Sequence, residues 1–80
     1  MNNIEKINQI CIRHLNVDFL KNVELRNKHF FSKEIDASVR EVVLVLLDIE
    51  KELGCIFSGE FLRDEGFSSF ETVIGYMGLN

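Results

Sequence analysis

Apolar residues recur at three- and four-residue steps from the start of the chain. Ile4, Ile7, Ile10, Cys11, His14 and Leu15 fall on one side of a helix. This spacing predicts a helix from Asn3 to Leu15, with Asn16 where a C-terminal stop belongs and Ile12 at the edge of the stripe. From Val17 to Ile35 the pattern is irregular, with Phe19, Leu20, Val23, Leu25, Phe30 and Phe31 as its apolar points. It allows a short helix near Asp18–Glu24. The polar break Arg26-Asn27-Lys28-His29 then reads as a loop pinned by the apolar residues on either side.

A second helix is expected from Asp36 or Ser38 to Leu53, with Gly54 ending it. Either Asp36 or Ser38 can cap it, because each offers an oxygen to the orphan N–H groups of a first turn. Ser38 with Glu41 three residues on fits a capping box. The run VVLVLL is rich in β-branched residues and competes as a strand, but helical spacing continues through Ile49 and Leu53 and no partner strand is evident. Gly59 to Glu65 reads as a short third helix or turn anchored by Phe57, Phe61 and Leu62. A fourth helix is expected from Ser68 or Ser69 to Met77. Ser68 and Glu71 form its capping pair, Phe70, Val73, Ile74 and Met77 its apolar face, and Gly78 its end. The fold class expected is all-α.

Composition narrows the function. Eighty residues, 46% hydrophobic and 28% charged, make one globular domain spanning 1–80. A chain this short buries about 60–65% of the surface that its unfolded form exposes. Nine Lys+Arg against thirteen Asp+Glu give a net charge of −4, and no basic cluster tracks a phosphate backbone, which argues against nucleic acid. The longest uncharged apolar run, Val42 to Leu47, is too short to span a bilayer. The opening MNNIEKINQI lacks a signal-peptide core, so a cytoplasmic protein is expected. Cys11 and Cys55 are then expected to be reduced and buried.

Several stretches resemble the acyl carrier protein family. Ile7 to Val17 looks like that family's first helix, which typically ends Leu-Gly-Val. Phe31 to Gly54 aligns without a gap to its central segment: Phe31 and Ile35 take the places of the phenylalanine and leucine before the attachment site, and Val43, Val45, Ile49, Glu50, Glu52 and Leu53 match its second helix. Phe67 to Met77 resembles its last helix. The first loop and the region before the last helix are longer here. The resemblance implies a four-helix bundle with a short third helix.

In that family the second helix opens with Asp-Ser-Leu, and the serine carries a 4′-phosphopantetheine arm. The same register here reads Ser38-Val39-Arg40. Val39 has no hydroxyl to attack the β-phosphate of coenzyme A, so no cofactor is expected. Ser38, about 100° away around a helix, is the alternative attachment site; its other reading is a cap. The family presents acidic residues on this helix to its partners. Glu41, Asp48, Glu50 and Glu52 keep part of that acid, Arg40 and Lys51 dilute it, and Leu44 replaces a usual glutamate. Val42 to Leu47 is apolar all round for over about one and a half turns. One side of it either stays exposed for binding or is covered by the first loop through Phe19, Leu20 and Phe30.

The function expected is therefore protein–protein interaction, accessory to a biosynthetic or peptide-modification system. Val39, Arg40, Glu41, Leu44 and Asp48 form the expected partner-binding face, and homodimerisation through the same run is a further possibility. Cys11 and His14, three apart, are too few for a zinc site. No Ser/His/Asp order, Gly-rich phosphate loop or carboxylate pair points to an enzyme.

Overall fold

The computed structural model describes residues 2–63 and 67–79. Among them are four α-helices, one 3₁₀ turn and no strand: α1 (Asn3–Leu15), the turn at Val23–Leu25, α2 (Val39–Leu53), α3 (Gly59–Arg63) and α4 (Phe70–Tyr76). The strand reading of VVLVLL yields to the helix, because Val42, Val45 and Ile49 recur at helical steps and are all buried. The far end of the expected third helix, at Glu65, lies outside the described residues.

The helix ends follow from side chains. Asn2 accepts the Glu5 N–H at 2.8 Å while the Glu5 carboxylate accepts the Asn2 N–H, closing a capping box on α1. Asn16 ends α1 in the left-handed conformation. Ser38, and not Asp36, caps α2. Asp36 sits at φ 54°, in the left-handed region, where a cap needs extended backbone, and Ser38 has it at φ −88° and ψ 161°. Gly54 closes α2 at φ 66°, a conformation a Cβ would strain.

Two local expectations are corrected. No helix forms over Asp18–Glu24. The Asp18 carboxylate takes the N–H groups of Leu20 and Lys21, its carbonyl takes that of Asn22, and the single turn then passes into the 3₁₀ turn. The cap of α4 is Ser69 with Thr72 instead of Ser68 with Glu71. The Ser68 carbonyl accepts the Phe30 N–H at 2.7 Å, and Glu71 is drawn to Arg26, whose carbonyl accepts its N–H and whose Nε lies 3.1 Å from its carboxylate. These bonds pin the 26–30 loop to the start of α4.

The core joins one face of α1 (Ile7, Ile10, Cys11, Leu15) to one face of α2 (Val42, Val45, Ile49) and one of α4 (Phe70, Val73, Ile74). Phe19 from the first loop stacks on Phe70 at 4.8 Å and meets Phe30 edge-on at 6.3 Å. Phe30 is buried and Phe31 is half exposed, resting against His29. Of these two apolar neighbours only Phe30 joins the core, because adjacent residues of this loop point to opposite sides. Leu62, expected as an anchor of α3, is exposed, whereas Phe57 is buried and stacks on Phe61.

Candidate functional site

The start and outer face of α2 carry Ser38, Val39, Arg40, Glu41 and Leu44, five of the six residues singled out from sequence. The Ser38 hydroxyl accepts the Glu41 N–H at 3.1 Å, and the Glu41 carboxylate accepts the Ser38 N–H at 2.9 Å. The Ser38 backbone N–H, followed by its side chain, holds the Glu41 carboxyl below its ordinary range. Ser38 is therefore a helix cap at an exposed position, and Glu41 is committed to the same box. Val39, the first helical residue, is 68% exposed. Arg40 is exposed beside it.

One side of the apolar run stays uncovered. Val43 and Leu47 are 46% and 51% exposed and Leu44 is 36% exposed. The first loop does not close over them: Phe19 and Phe30 enter the core, and Leu20 itself faces solvent. Beside this stripe a groove of about 300 Å³ runs towards α3, lined by Val42, Val43, Leu46, Leu62 and Phe67.

Asp48 belongs to a different side of α2. Its Oδ2 lies 2.6 Å from His14 Nε2 and 3.1 Å from Arg13 Nη1, and the same Arg13 nitrogen reaches Glu52 at 3.1 Å. The hydrogen bond with His14, followed by the Arg13 guanidinium, holds the Asp48 carboxyl below its ordinary range. Of the five residues expected to meet a partner, Val39, Arg40 and Leu44 are thus open to solvent, while Glu41 and Asp48 already serve the fold.

The remaining chemistry is occupied in the same way. Cys11 is buried and Cys55 partly so, and both are free thiols. Burial pushes the Cys11 thiol up to about 12. Burial, and then the nearby Glu50 carboxylate, raise that of Cys55. Cys11 lies in the core while His14 turns to Asp48, so the two share no metal site. Among the described residues, no three His, Cys, Asp or Glu side chains gather for a metal ion. A second, open cleft of about 360 Å³ is lined by Asn27, His29, Ser68, Ser69, Glu71 and Thr72. Its Ser69 and Thr72 hydroxyls are used in the α4 cap and its carboxylate on Arg26.

One structural residue escaped the sequence reading. Asn8 is buried; its side chain donates to Asp18 at 2.9 Å and accepts the Phe19 N–H at 2.7 Å. The signal was present, because Asn8 follows Ile4 by four residues and precedes Cys11 by three on the apolar stripe.

Comparison with protein-family models, with curated proteins and with solved structures finds no match to this chain.

Proposed function

We propose that this chain is an acyl-carrier-related protein that works by docking a protein partner on the outer face of α2 and bears no phosphopantetheine arm of its own. Val39 carries the reading. It holds the register of the family's attachment serine, opens α2, and presents an apolar side chain to solvent where a hydroxyl is required. The group and the residue do not fit, so no step runs through the cofactor. The all-α order is compatible with a carrier scaffold. The docking role is supported by the exposed stripe Val39, Val43, Leu44 and Leu47, since contiguous apolar surface commonly marks a binding site. In this reading the protein is an accessory to a biosynthetic or peptide-modification system and not an enzyme.

The test is incubation with coenzyme A and a permissive phosphopantetheinyl transferase, followed by intact-mass measurement. The mass is expected to stay unchanged, and a gain of one phosphopantetheine overturns the reading. The exposed position of Ser38, one residue before Val39, favours one rival, a shifted attachment site. It requires that gain, and its loss in Ser38→Ala.

A further inference from the structure

Resting on the docking face proposed above, we infer that its partner is an amphipathic helix whose apolar stripe is bracketed by an acidic residue at each end. The outer face of α2 is framed by like charge. Arg40 and Lys51 are both exposed and stand eleven positions apart in the chain. In an α-helix that separation is about 16 Å along the axis and only about 20° around it. Between them lie the exposed Val43, Leu44 and Leu47.

The acids of α2 are directed elsewhere and engaged. Glu41 closes the cap with Ser38, Glu50 accepts the Phe57 N–H at 2.9 Å, and Asp48 and Glu52 hold Arg13. Among the described residues neither Arg40 nor Lys51 enters an ion pair. Although six charged residues give α2 a net negative sum, the charge at the ends of its apolar stripe is positive. A partner that buries Val43 and Leu47 must approach both cations, and carboxylates at matching positions complement them.

The same frame disfavours two other occupants. Two copies aligned symmetrically on their stripes set like charge on like: antiparallel packing places Arg40 on the second copy's Lys51, and parallel packing places each on its equivalent. Like-charge juxtaposition opposes association. An anionic bilayer is opposed by the net charge of −4 on the chain.

The probe is a phage-displayed library of helical peptides about 18 residues long, which reach about 27 Å. It has a fixed Leu/Ile/Phe stripe and flanking positions randomised among Asp, Glu, Lys and Arg. Selection is run on the wild-type protein and on the Arg40→Glu/Lys51→Glu variant, with Leu47→Asp as the counter-target. All three sites are exposed, and circular dichroism checks that each variant is folded. Wild type is expected to enrich acids over bases at both flanks by about tenfold, with the double variant reversing the preference. A selected peptide made synthetically is expected to lose roughly fivefold in affinity for each reversed charge, and less in about 0.5 M salt.

Binders that need Leu47 but show no acidic preference overturn the inference and leave the docking face standing. If no binder is lost on Leu47→Asp, the docking face falls and the inference with it. Light scattering that reveals a concentration-dependent dimer abolished by Leu47→Asp assigns the face to a second copy. Leu47-dependent binding to phosphatidylserine vesicles assigns it to a lipid surface. Either result overturns the inference.

Discussion

Asn8 ties the first loop to α1 through a donor that has no other outlet. The Phe19 N–H it accepts is enclosed with the Phe19 ring, which has no exposed surface. Asn8→Ala strands that N–H, and the expected cost is about 1–3 kcal/mol, read as a lower urea midpoint. At Cys11, burial keeps the thiol protonated and out of reach. Iodoacetamide at mildly alkaline pH is therefore expected to alkylate Cys55 in the native protein and Cys11 only after unfolding; equal rates would contradict the burial seen for Cys11. The sign of its linkage follows. A folded thiol pushed from 9.0 up to about 12 contributes stability fully below about pH 9. That contribution is lost as the pH rises from there towards 12.

At the scale of elements, α2 is held at its start by a cap and on one side by a charged clasp. Ser38→Ala removes the acceptor for the Glu41 N–H, at an expected cost of about 1 kcal/mol, while Ser38→Gly is expected to cost only a few tenths. For a domain of this size the alanine change corresponds to a fall of about 4–8 °C in Tm. Asp48 joins α2 to α1 through His14 and Arg13. Its carboxyl is held below the ordinary value, so this contribution is present above the unfolded carboxyl's pKa, near 3.8, and is lost as the pH falls through the lower folded value. Urea midpoints followed from neutral pH to pH 3 are expected to drop less steeply in Asp48→Asn than in wild type. The two sides of α2 should also respond differently to charge. Val43→Asp is expected to change stability by no more than about 0.5 kcal/mol, whereas Val45→Asp, at a position 1% exposed, is expected to abolish the cooperative melt.

For the whole molecule, the core depends on three aromatic rings brought from distant parts of the chain. Phe19 and Phe30 come from the long first loop and Phe70 from α4, and each is almost wholly enclosed. Truncating such a ring typically costs about 3–5 kcal/mol. A domain of this size has about 4–12 kcal/mol in total. Phe19→Ala is therefore expected to leave a largely unfolded protein at 37 °C, seen as lost near-ultraviolet dichroism. Phe31→Ala, on the exposed side of the same loop, is expected to be nearly silent. That contrast checks which of the two neighbours belongs to the core.

The local pattern determined the helices. Periodicity marked α1, α2 and α4, Ser38 with Glu41 marked the start of α2, and Asn16 and Gly54 marked ends. Each of these signals acts between residues a few positions apart, where side-chain spacing and backbone capping operate. Tertiary structure decided what depends on distant partners. Phe30 is chosen over Phe31 because its N–H and ring meet Ser68 and Phe67. Ser69 is chosen over Ser68 because Arg26 claims Glu71. Asp48, grouped by sequence with Val39, Arg40, Glu41 and Leu44, is claimed by Arg13 and His14 from α1. The candidate face was half legible for the same reason. Sequence placed Val39, Arg40 and Leu44 together on one helix, but only packing reveals which acids are already spent, and so which charge α2 presents beside its exposed apolar stripe.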